Sequence, residues 1–184
     1  MAASWKPTKA LPKGADTPTS PLQLEIDIED WPEHDWEDLA ERVAGAAQQV
    51  APELANPRLV TSLLFTSDSR VHELNREWRQ RDKPTNVLSF PMLERSDLVH
   101  LDPEDGPPEM LGDIALAYET CAREAEAKGI ALETHAAHLI LHGLLHLAGH
   151  DHEISDADAD KMEQLEVKAL ALLGIADPYS AATS

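Results

Sequence analysis

The chain is poor in cysteine, in aromatic residues and in positive charge, and each shortage excludes something. One cysteine, Cys121, in 184 residues rules out a disulfide within the chain and any cysteine cluster for a metal. That fits a reducing compartment, and a cytoplasmic location is the expectation. Aromatic residues make up 4% against 42% hydrophobic residues in all, so Leu, Ile, Val and Ala must fill the core. The longest uncharged run, Thr134 to His150, holds five histidines and falls short of the roughly 20 apolar residues of a membrane span. The opening MAASWKPTKALPKGADTPTS lacks the apolar stretch of a secretory signal. No membrane partner is expected.

Fifteen Lys and Arg stand against 34 Asp and Glu, a formal net charge of −19. Lys6, Lys9 and Lys13 against Asp16 leave the first twenty residues at +2, so the remainder carries −21. Such a surface repels polyanions at long range. Nonspecific nucleic-acid binding is disfavoured, and no DNA partner is expected. Activity on RNA would need a local positive site, supplied by a metal ion together with Arg or Lys.

What is present reads as one domain. Residues 1–20 are rich in Pro, Lys, Thr and Ala and predict a disordered tail. Residues 21–178 predict a single catalytic, metal-binding domain, and 179–184 a C-terminal tail. LQLEIDI (22–28) alternates at period two and predicts a strand. Trp36, Leu39, Ala40, Val43, Ala47 and Val50 follow helical spacing, with Pro52 and Pro57 beyond the end. RLVTSLLFT (58–66) predicts a strand. A helix follows, capped by Ser67 or Asp68, with Val71, Leu74 and Trp78 on one face. TNVLSF (85–90) predicts a strand stopped by Pro91, and the acidic, Pro-rich 93–109 a loop. GDIALAY (112–118) predicts a strand, and helices are expected over 120–128, 132–148 and from 155 or 156 to Gly174. The sum is an α+β fold, a small mixed β-sheet packed with several α-helices.

The most specific pattern is HLILHGLLHLAGHDHE, holding His142, His146 and His152. The first two are four apart, so their imidazoles project from one helix face. Gly149 tolerates a left-handed turn at the helix end, which lets His152 return to the same point. Three imidazoles with a fourth position open make the donor set of a catalytic zinc ion, one per chain, on a central helix. Such an ion polarises phosphoryl or carbonyl oxygen and acidifies water. His135 and His138 continue the stripe, but 135 to 146 spans about 16 Å at helical rise, too long for one ion. They are expected as hydrogen-bonded or packing neighbours. His150 is expected at the surface, and Asp151 either behind a ligand or in solvent.

The spacing also matches the metzincin pattern H-E-x-x-H-x-x-G-x-x-H, except that Gly143 stands where the glutamate should be. Peptidases of that type use the glutamate as general base, so peptide hydrolysis is disfavoured. Glycine there also predicts open space beside the first ligand.

A second segment, LNREWRQRDKPTNVLSFP (74–91), follows Arg70 with Arg76, Arg79, Arg81 and Lys83, interspersed with Glu73, Glu77 and Asp82. Composition alone favours a solvated face with intrahelical pairs. Together with HGLLHLAGHDH (142–152) and LGDI (111–114), this segment resembles the YbeY family of bacterial zinc-dependent endoribonucleases over about residues 22 to 178. The family pattern has tyrosine where His150 stands. The resemblance implies His142, His146 and His152 as metal ligands and Arg79 as the functional arginine, stabilising charge on a phosphorane-like transition state. Ser89, within 85–91, and Asp113 are candidates for the cleft floor, with strand packing at least as strong a reading, and His138 and Asp151 are candidates for groups behind the ligands. The implied activity is single-strand-selective cleavage of RNA, at the small-subunit ribosomal RNA 3′ end and in ribosome quality control; the alternative readings are a non-enzymatic ribosome assembly factor with a structural zinc and a metal-dependent hydrolase of another substrate. The partners are then that RNA and the small subunit or its proteins.

Overall fold

The computed structural model describes residues 21–82, 85–150 and 155–179. The predicted tail over 1–20, together with Lys83, Pro84, residues 151–154 (Asp151 and His152 among them) and residues 180–184, lies outside them.

Among the described residues four strands form one mixed sheet, in an α+β arrangement with six α-helices. β1 (Gln23–Ile28), β2 (Leu59–Thr66) and β4 (Glu109–Ala117) run parallel, and β3 (Val87–Pro91) lies antiparallel on β4, in the order β1-β2-β4-β3. Parallel neighbours need a crossover. α1 (Trp36–Val50) supplies the one between β1 and β2, its start capped by the Asp35 side chain accepting from Asp38 N at 3.0 Å. α2 (Asp68–Arg79) and β3 lie between β2 and β4. Then come α3 (Arg95–Val99), α4 (Tyr118–Lys128), α5 (Leu132–Leu147) and α6 (Asp156–Leu172).

The two faces of the sheet carry separate cores. Leu63, Phe65, Ile114 and Leu116 pack with α1, α5 and α6 in the larger core. Leu64, Leu88, Ala115 and Ala117 pack with Val71 of α2 in the smaller. The alternation is the period-two consequence of strand geometry. α5 is buried almost all round and packs on α1, α4, α6, β3 and β4, which makes the histidine helix the centre of the molecule. Four of the eight aromatics gather at one point: Trp31 meets Trp36, Phe65 and Tyr118 edge-on, with ring centroids 4.9, 5.0 and 5.5 Å away.

Three expectations are corrected. The loop over 93–109 contains the single-turn helix α3, anchored by Leu98 at 2% exposure; one apolar residue in five gives no period to read. β4 starts at Glu109, three residues early, because Glu109 N donates to Arg58 O at 2.7 Å. Trp78 is 72% exposed and does not share the inward face of Val71. The buried residues of α2 are Val71 and Asn75, and its last turn is exposed throughout.

Candidate active site

α5 ends in a Schellman motif. His150 N donates to Leu145 O at 3.0 Å and Gly149 N to His146 O at 2.9 Å, with Gly149 at φ +95°. A Cβ on Gly149 would stand 2.7 Å from Arg95 Cβ, so no other residue fits both the turn and the neighbour. Arg95 fastens this turn. Its Nη1 donates to Ala148 O at 2.6 Å and to Glu53 Oε2 at 2.8 Å. His150, expected at the surface, is largely covered and lies 3.4 Å from the same carboxylate oxygen. The His150 hydrogen bond and Arg95 hold the Glu53 carboxyl down at about 2 against the cost of its burial.

His142 and His146 stand side by side, ring centroids 4.6 Å apart, at the wall of a cleft of about 980 Å³. The proposed third ligand, His152, and its neighbour Asp151 fall outside the described residues. Among the described residues no group of three His, Cys, Asp or Glu is placed to hold a metal ion. Behind the pair is a residue the sequence reading missed. Glu166 of α6 is wholly buried; its Oε2 lies 2.5 Å from His142 Nδ1 and its Oε1 3.1 Å from His138 Nε2. Burial opposes its ionisation, yet the hydrogen bonds from His138 and His142 outweigh that and hold the carboxyl at about 2. Tyr179, expected in the C-terminal tail, donates its hydroxyl to Glu166 Oε1 and meets His138 edge-on, centroids 5.7 Å apart. Burial and the Glu166 carboxylate push the Tyr179 phenol well above its ordinary range.

A signal for Glu166 was in the sequence. Met162, Glu166, Ala169 and Leu170 are the buried face of α6, a helical stripe with one carboxylate in it. At the far end of the α5 stripe, His135 sits at 1% exposure with Nε2 2.7 Å from Glu124 Oε1. Burial lowers its pKa, so a neutral ring donates to Glu124.

The opposite wall comes from α2 and β3. Arg79, the last residue of α2, donates through Nη1 to the Ser89 carbonyl at 3.1 Å. Arg79, Ser89, His138, His142 and His146 all line the one cleft. Asp113 does not. It pairs with Ser62 and Phe90 on the sheet face of Leu64 and Ala115, away from α5, where burial raises its pKa. The cleft role expected of Asp113 is therefore corrected: strand alternation turns Ile114, not Asp113, toward the histidine helix. Gly143 is also reinterpreted. The space beside it is filled, since a Cβ would meet Ile114 Cδ1 at 3.0 Å, so the glycine lets α5 close on β4. The arginine cluster of α2 splits. Arg70 pairs with Glu73 at 2.6 Å on the helix surface, while Arg79 and Arg81 line the cleft with Arg95 and Lys128.

The comparisons with known proteins agree in one direction. The family model Endoribonuclease YbeY matches residues 23–174. A relative from Erythrobacter litoralis called Endoribonuclease YbeY is 70% identical, covering 86% of this chain and 98% of its own. Another of that name from Novosphingobium aromaticivorans is 57% identical, covering 85% and 95%. A solution structure from Thermotoga maritima superposes with TM-score 0.51 at 22% identity, over 86% of this chain and 96% of that one, which shows a shared fold. On the family match and these identities, the chain belongs to the YbeY endoribonuclease family.

Proposed function

We propose that this chain is a zinc-dependent endoribonuclease selective for single-stranded RNA. We propose further that it acts in the cytoplasm on the small-subunit ribosomal RNA 3′ end and in ribosome quality control, with the small subunit or its proteins as partners. The names of its relatives support RNA cleavage. One observation carries the reading at the level of chemistry. On a chain of net charge −19, Arg79, Arg81 and Lys128 are drawn around the cleft of His142 and His146 together with Arg95, whose charge is paired with Glu53, against Glu94 as the only acidic side chain among its described lining residues. That is the local positive site an acidic protein needs to accept a phosphodiester. The acidic exterior suits basic ribosomal proteins.

The donor set fits a metal. His142 and His146 are adjacent on one helix face, and Glu166 engages Nδ1 of His142, which makes Nε2 the nitrogen for a cation. His142, His146 and His152 would hold the zinc, which when bound supplies Lewis acidity toward a phosphoryl oxygen and acidifies water. Arg79 would grip the phosphate with its planar fork, bracing on the Ser89 carbonyl. Its charge would offset the negative charge that grows in the transition state. Peptide hydrolysis lacks support, because Gly143 stands where peptidases of that pattern carry their general-base glutamate.

The test is cleavage of a single-stranded RNA, with a duplex control, by wild-type, Arg79→Ala and His146→Ala proteins purified identically, with and without chelator. Cleavage should need the metal and both side chains and should spare the duplex. Equal cleavage by wild-type and His146→Ala preparations would sink the proposal.

A further inference from the structure

The carboxylate behind the histidines sits in a place that demands a reason. Glu166 is buried on an apolar helix face with Met162, Ala169 and Leu170. An ion there is tolerated only when paired and hydrogen-bonded. A carboxylate only accepts, so its three partners must all donate: His142 from Nδ1, His138 from Nε2 and Tyr179 from its hydroxyl.

We propose that Glu166, clamped by Tyr179, is the positioning residue that divides the histidine stripe into a ligand and a support. The inference rests on the metal reading above. Oε2 takes the Nδ1 proton of His142, so that ring keeps its lone pair on Nε2. Oε1 takes the Nε2 proton of His138, which commits that nitrogen to the protein rather than to a cation. One anion thus gives two imidazoles, a single helical turn apart, opposite tautomers. Tyr179 completes the arrangement. Gly174 at φ +75° follows α6, and Asp177 Oδ1 accepts from Tyr179 N at 2.8 Å, so the segment after α6 turns back onto Oε1. Without that donor, Glu166 would keep only the two imidazoles. Tyr179 therefore belongs to the site.

The experiment uses the full chain. Zinc affinity is measured by competition with a chromogenic chelator for wild-type, Glu166→Gln, Tyr179→Phe and His142→Ala proteins, with folding checked by circular dichroism. Glu166→Gln should bind zinc about 10–100-fold more weakly while folded, Tyr179→Phe should show a smaller loss, and His142→Ala the largest. In parallel, nitrogen NMR of the metal-free wild type reads the tautomers without any substitution; His142 should carry its proton on Nδ1 and His138 on Nε2. A folded Glu166→Gln protein with unchanged zinc affinity overturns the inference, as does a wild-type His142 protonated on Nε2. Unchanged zinc affinity in His142→Ala would instead overturn the ligand assignment on which the inference rests.

Discussion

The two walls of the cleft are built in opposite ways. On the α5 side, His135 and His138 are largely buried, and Glu124 or Glu166 holds His135, His138 and His142 through a hydrogen bond. On the α2 side, the last turn is exposed, and Arg79 reaches across to a backbone carbonyl. Under the proposed function the difference is one of task. A metal ligand must be placed to within a fraction of an ångström with the right tautomer, which burial and a carboxylate supply. A phosphate-gripping guanidinium needs charge and reach, in a groove that RNA would enter and leave.

The comparison can be broken from either wall. The largest effect should come from His146→Ala, which removes one of two adjacent imidazoles. Zinc binding by elemental analysis and RNA cleavage should both be lost. Arg79→Ala should separate the walls, with zinc content as in wild type but kcat down by about 10²–10³; loss of zinc from that variant would contradict the division. Next is Glu53, which fastens the turn after α5. Its carboxyl lies at about 2 in the folded chain, below its ordinary 4.5. The stability it contributes is present above pH 4.5 and lost as pH falls from 4.5 toward 2. Urea midpoints across that window should fall less steeply in Glu53→Gln. The difference should be about 1–2 kcal/mol, reduced from the full shift because Arg95 is 42% exposed. The smallest effect belongs to Trp78→Ala. With the ring 72% exposed, stability should change by no more than about 0.5 kcal/mol. A loss of several kcal/mol would mean that the α2 wall is packed after all.

The legible parts share a cause. His142 and His146 could be paired, and Gly149 assigned to a left-handed turn, because both depend on neighbours within one helical turn. Most strands and helices were legible for the same reason, through period two or period 3.6 over six residues or more. Trp78 shows the limit of that reasoning. Its spacing from Val71 and Leu74 is helical, but nothing in α2 says that the packing surface ends before the last turn. Asp113 shows another limit. Alternation puts it opposite Ile114, but which face meets the histidine helix is not written in the strand.

Local spacing alone settled the histidine pair, the glycine turn and the identity of most elements, because each is a contact between residues a few positions apart. Chain folding decided what stands behind and across from them. Glu166 meets His142 from 24 residues away, Ser89 meets Arg79 across ten, and Glu53 meets Arg95 across 42. A carboxylate's partner at that separation follows from how α5 and α6 pack and how β3 joins the sheet edge, which are properties of the whole core and not of any segment.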